Sequence, residues 1–183
     1  SGTGRYSVVV GGRQNDITST SGSYSYFGFI GNGRLNTINN ARYASVVNGK
    51  GNIVGESSSY SGVHAIIGGG SYNTTTGNRS FIGAGLNNTI TGALNAESSV
   101  IVGGVRNRIV ESIGGGMSSI GGGSGNTVSG AYSSIGGGQN NTILSGSSFI
   151  SSGKRNTSSA VYSSIIGGLN NSIITRGSNA AHR

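Results

Sequence analysis

The sequence predicts an all-β fold: a parallel β-solenoid, or β-roll, of about 15-residue coils. Two patterns and one compositional fact predict it. One Asn recurs along the chain at spacings that settle to 15 residues. A Gly and a Val or Ile keep fixed offsets from that Asn. The composition, 37 Gly with no Pro, Cys or Trp and 33% hydrophobic residues in 183, cannot furnish a broad core of large side chains. Gly this abundant without Pro is neither collagen-like nor the usual Pro/Gly-rich disorder. Stacked repeats around a narrow core fit it.

The anchors are Asn15, Asn36, Asn52, Asn73, Asn88, Asn107, Asn126, Asn141, Asn156 and Asn171. They lie 21, 16, 21, 15, 19, 19, 15, 15 and 15 residues apart, so 15 is the base period and longer gaps hold extra residues. Before Asn126 the chain writes its glycine motif twice, "SIGGGMSSIGGG" from Ser112 to Gly123, which predicts a shortened extra coil. That makes about eleven coils and a rod on the order of 50 Å at the spacing of β-strands. The chain reads as a single repeat domain over 1–183, with repeats over about 7–174 and a tail over 175–183.

The first element of each unit is a short strand. Six residues before the anchor stand Val9, Ile30, Val46, Ile67, Ile82, Ile101, Ile120, Ile135, Ile150 and Ile165, residue types that suit a half-buried pleated surface. A turn follows. Three before the anchor, all ten units have Gly, from Gly12 to Gly168, which predicts a backbone conformation closed to other residues or a very close approach. The ten anchors close this turn, since Asn tolerates the left-handed region and bonds locally through its side chain. A second strand comes next, with Val or Ile two after the anchor in eight units and Thr75 and Ser158 in the others. A second turn then leads to the next coil.

Another apolar row lies seven before the anchor: Val8, Phe29, Ile66, Phe81, Val100 and Phe149, with Ser119, Ser134 and Ser164 in later units. Being sequence neighbours of the inward Val/Ile, these point the other way. Nine before the anchor come Tyr6, Phe27, Tyr43, Tyr132 and Tyr162. An outward apolar row predicts a subunit interface; filling of a flattened core is the alternative. About three aliphatic side chains per coil give a single roll little hydrophobic burial, which also favours association.

The stretches "SSVIVGG" (Ser98 to Gly104), "RSFIGAG" (Arg79 to Gly85) and "YSSIIGG" (Tyr162 to Gly168) resemble the YadA-like head repeats of trimeric autotransporter adhesins and related surface or tail-fibre repeats. That family repeats a roughly fourteen-residue unit with a strand of the "SVAIG" type before a glycine-containing turn. The resemblance implies a left-handed parallel β-roll, three chains side by side as a homotrimer, and a place on a cell or virion surface. Here the period is 15 and the anchor is Asn.

Nothing in the residues points to an enzyme, a cofactor or a metal centre. The four acids, Asp16, Glu56, Glu97 and Glu111, fall in different units, and His64 and His182 have no ligand spacing around them. The chain lacks an apolar run of about twenty residues, so no membrane insertion is expected.

Charge is more informative, at +8 from twelve Lys/Arg and four acids. Arg13, Arg34, Lys50, Arg106, Lys154 and Arg155 fall on one turn just before the anchor, with Arg108 just after it. Stacked coils would align them into an interrupted stripe able to hold a surface glycan or other polyanion. The same charges would serve as solubility devices on exposed turns. No motif for specific nucleic-acid recognition accompanies them.

Thr37, Thr74, Thr89, Thr127, Thr142 and Thr157 follow their anchors, and the Thr-x-Thr form at Thr74/Thr76 and Thr89/Thr91 resembles ice-binding faces. Asn73 and Asn156 open glycosylation sequons. The expected function is therefore a non-enzymatic structural or adhesive segment of an extracellular or virion-surface fibre. The alternatives are a monomeric ice- or glycan-binding solenoid, or a filament subunit that stacks end to end.

Overall fold

The computed structural model describes residues 5–19, 25–55, 61–92, 98–111 and 116–175. Among these residues there is no helix. Twenty short strands, from Val8–Val9 to Ser172–Ile173, form two parallel ten-stranded sheets. Alternate strands in chain order belong to alternate sheets, so each coil gives one strand to each. This is the parallel β-solenoid expected from the repeat. A third line of parallel bridges runs up the turn between the two strands of each coil, from Arg13↔Arg34 to Lys154↔Leu169.

The register follows the anchors. Val9 pairs with Ile30 and Ile150 with Ile165 in the first sheet; Ile17 pairs with Ile38 and Val128 with Ile143 in the second. Where nothing is inserted the coil is 15 residues, as from Val128 to Ile143. Extra residues enter after the second strand and before the next coil. Thr18 to Phe29 is such a long connection, and Val128 to Ser134 the short form. Insertions at this corner leave the ladder intact.

One expectation fails. The doubled glycine motif does not add an eleventh coil, because Val100 pairs directly with Ser119 and Ile101 with Ile120. The ladder closes across the motif, and its second copy, Ser119 to Gly123, supplies the next rung. Ser112 to Gly115 lie outside the described residues, as do Glu56, Glu97, Arg176 and His182.

The space between the sheets is filled by the two predicted inward rows. From Ile30 to Ile150 the first-sheet row is fully buried; Ile38, Val54, Ile90, Ile109, Val128 and Ile143 match it from the second sheet. Thr75 and Ser158 are equally buried in that second row. The Ser158 hydroxyl bonds Ser163, whereas Thr75 Oγ1 has no partner.

The anchors have a larger role than closing a turn. From Asn36 to Asn156 all are fully buried and form a ladder along one corner of the core. In Asn107, Nδ2 donates to Gly103 O in its own coil and to Gly123 O in the next, while Oδ1 accepts the Asn126 backbone N–H. The same pattern holds at Asn126, Asn141 and Asn156. Identical side chains stacked in register satisfy one another, as amide ladders do in cross-β stacks.

None of the anchors is left-handed. The positive φ falls on the residue before each, including Gln14, Leu35, Tyr72, Arg106 and Arg155. Packing and hydrogen bonding, rather than tolerance of the left-handed region, therefore select Asn at the anchor. The glycines three before the anchor behave as expected. Their φ runs from 83 to 113°, and a Cβ on Gly104 would sit 2.3 Å from Gly123 O and 2.6 Å from Asn107 Nδ2.

The opposite corner repeats this layout. The residue nine before each anchor also has positive φ, from Tyr6 to Tyr162. The next residue is small and buried through most of the stack: Ala44, Ala65, Ser80, Ser99, Ser118, Ser133 and Ser148. Ser133 Oγ accepts from Ser148 N and donates to Ser145 O, linking three points of two coils.

Candidate functional site

Only exposed rows can meet a partner, and the two sheets differ in what they expose. On the first sheet the row seven before the anchor faces outward. Phe29 and Phe81 are each 38% exposed and Phe149 41%. The flattened-core alternative for this row therefore does not hold. Five before the anchor the same face carries Val10, Val47, Val102 and Ile166, with Gly in five of the other coils and Ser151 in the sixth. Gly31 and Gly83 lie beside the Phe29 and Phe81 rings, with one ring carbon 3.4 and 3.5 Å from a notional Cβ. The result is a largely apolar strip, interrupted by Ser45, Ser119, Ser134 and Ser164, with no charged residue at either outward position.

The second sheet exposes mostly polar side chains, with Ile53, Leu144 and Ile174 as apolar exceptions. Its outer row, one after the anchor, reads Asp16, Thr37, Ile53, Thr74, Thr89, Arg108, Thr127, Thr142, Thr157 and Ser172 in ladder order. Ile53 interrupts it, as Asp16 and Arg108 do. Thr76 is buried, with its hydroxyl unpartnered. The Thr74/Thr76 pair therefore does not present two hydroxyls to solvent, and one Thr-x-Thr pair, Thr89/Thr91, remains.

The corner at the longer connections carries rings. Tyr6, Phe27, Tyr43 and His64 stack through four coils at centroid distances of 5.4, 5.1 and 4.8 Å. Their faces meet along the rod, leaving mainly ring edges to solvent. The sequence placed three of these rings in one row; His64 joins them because it too lies nine before an anchor. The Arg42 guanidinium lies 5.5 Å from the Tyr26 ring beside this stack.

The basic residues occupy the other corner, all exposed. Arg13, Arg34 and Lys50 are consecutive partners in the third ladder. Five uncharged residues follow on that ladder, Ser71, Leu86, Val105, Ser124 and Gln139, before Lys154. Arg106 and Arg155 sit on the adjacent left-handed row. The six cations are thus brought to one edge but split into a contiguous trio near the start, a lone Arg106, and the pair Lys154/Arg155 six coils beyond Lys50.

The sequons at Asn73 and Asn156 are closed. Both side chains are fully buried, and both Nδ2 groups donate to two backbone carbonyls. Asp16 is on the outer row of the second sheet, and the backbone of Glu111 ends the strand Arg108–Glu111. Among the described residues no three His, Cys, Asp or Glu side chains gather where they could hold a metal ion.

No family model matches the chain, and no curated protein is significantly similar to it.

Proposed function

We propose that this chain is a non-enzymatic structural segment of an extracellular or virion-surface fibre, a rod that associates side by side with two further copies of itself. The observation that carries the reading is the asymmetry of the two outer faces. The first sheet exposes Phe29, Ile66, Phe81 and Phe149, while the second exposes mostly threonine. An apolar strip of this kind along a rod is covered at lowest cost by an identical strip. Three copies around an axis, each winding left-handed, match the arrangement implied by the resemblance to YadA-like heads. The remaining faces and corners then display binding groups, with a surface glycan or another polyanion as the external partner. Neither a cofactor nor a membrane-inserted segment belongs to this reading.

The test compares the two faces. Phe29, Phe81 and Phe149 changed together to Ser should release monomers or unfold the chain. Thr89, Thr127 and Thr142 changed together to Ser should leave the assembly intact. Equal behaviour of the two variants in sedimentation would remove the first sheet as the interface.

A further inference from the structure

We infer that Arg13, Arg34 and Lys50, with Leu35 and Tyr72 beside them, form a binding site for a linear acidic polysaccharide carrying one carboxylate per sugar, a polyuronate. The inference extends the adhesive reading but does not need the trimer, so a monomeric rod that binds as described would refute only the assembly.

The trio is not required by the fold. Its backbone bonds are ordinary ladder bonds: Arg13 N to Gly33 O, Arg34 N to Gly49 O and Lys50 N to Gly70 O, each 2.9 Å. The same ladder accepts Ser71, Leu86, Val105, Ser124, Gln139 and Leu169. Like charges on directly paired strand positions destabilise a sheet. Among the described residues, no carboxylate pairs with any of the three. The chain therefore holds three cationic residues on backbone positions about 4.8 Å apart, the spacing of paired strands, and among the described residues no carboxylate offsets them.

The neighbouring row adds a surface for sugar. Next to the trio run Gln14, Leu35, Gly51 and Tyr72, each one residue before its anchor. The Tyr72 ring lies across Gly51, where a Cβ would come within 2.7 Å of the ring. Glycine at 51 is what lets the ring lie there. The Lys50 ammonium then sits 5.2 Å from the Tyr72 ring centroid, a cation–π contact that holds the last cation of the trio. Leu35 and Tyr72 are both partly exposed and offer apolar surface beside the charges.

A row of cations beside an apolar row suits a chain whose repeating unit has an acid group and an apolar ring face. Polyphosphate brings charge without that face, and nucleic acid spaces its phosphates more widely. An extended pyranose chain advances by roughly one strand spacing per sugar and turns its carboxylates to alternate sides, so carboxylates about two sugars apart face the rod and can meet the outer members of the trio. Each contact alone is weak; several on one ligand bind by multivalency.

The probe is a hexagalacturonate, titrated by calorimetry at low and raised salt. Its fully methyl-esterified form, a polyphosphate of similar length and a single-stranded DNA oligomer serve as comparisons. The expected result is binding of the hexauronate, weakened by salt through counterion release, and none of the ester. R13Q/R34Q/K50Q should lose at least about tenfold in affinity and most of the salt slope. Gln is native to this ladder at 139, so this variant should fold and, with three like charges removed, melt no lower than wild type. K154Q/R155Q should bind like wild type. Tyr72→Ala should weaken the hexauronate severalfold without changing polyphosphate binding. Undetectable hexauronate binding by wild type, or wild-type affinity in the triple variant, overturns the site. Equal or tighter binding of polyphosphate or DNA, with no effect of Tyr72→Ala, overturns the polyuronate assignment.

Discussion

Asn107 Oδ1 accepts the backbone N–H of Asn126 at 3.0 Å, across 19 residues of sequence and one coil of the rod. Each such bond ties a buried side chain to the next coil, and the Nδ2 of the same residue ties two glycine carbonyls. The ladder is thus an internal hydrogen-bonded seam that cannot lose one member without stranding its neighbours.

Asn107→Ala should cost roughly 2–4 kcal/mol, because one buried N–H and two buried carbonyls lose a partner. Asn107→Asp should cost more at neutral pH. A carboxylate would face the Gly103 and Gly123 carbonyls in a buried corner, which raises its folded-state pKa above the unfolded value. Its destabilisation should therefore be least at about pH 4 and grow as pH rises. Melting curves of both variants against wild type at the two pH values check this; an Asp variant equally stable at both would count against a buried ladder.

Glycines at neighbouring positions of equivalent turns should differ sharply. Gly104→Ala places a Cβ against the Gly123 carbonyl at φ +93 and should cost roughly 3 kcal/mol. Gly137 has no positive φ, and nothing lies within 4 Å of a notional Cβ there. Gly137→Ala should stay within about 0.5 kcal/mol of wild type. Chemical denaturation resolves the difference, and equal losses would contradict the close approach of the coils.

Thr75 holds an unpartnered hydroxyl in a row that is Val or Ile in eight of ten coils. Thr75→Val keeps the shape and removes the orphaned group, so it should stabilise by about 1 kcal/mol. A fall in melting temperature would mean that the hydroxyl has a partner in solution.

Ile135 is fully buried between the sheets. Ile135→Val should cost about 1 kcal/mol, and Ile135→Asp should break the stack locally by placing an unpaired charge in a dry core. Unchanged circular dichroism and melting in the Asp variant would remove the register assigned to the inward row.

The parts of this fold legible in the sequence are those that every coil must repeat. The inward Val/Ile rows and the ten glycines were readable because stacking imposes the same steric demand on each coil. The outward direction of Phe29, Phe81 and Phe149 followed from strand alternation. The left-handed residues were hidden, since Gln14, Leu35, Tyr72 and Arg106 share a backbone conformation and no chemistry. The buried role of the anchors was missed for a related reason. Asn in ten of ten coils matches both a turn and an amide ladder, and invariance of the side chain itself was the clue to the ladder. The doubled glycine motif misled because a motif does not show whether its strand finds a partner. The split of the basic residues into a trio and a distant pair required the count of intervening coils.

The claim that the rod assembles side by side is tested most directly by the mass of the particle in dilute solution, by light scattering at decreasing concentration. The account predicts three times the 18.2 kDa chain mass, held on dilution and lost when Phe29, Phe81 and Phe149 become Ser. A wild-type particle of 18.2 kDa with an intact β spectrum would contradict it.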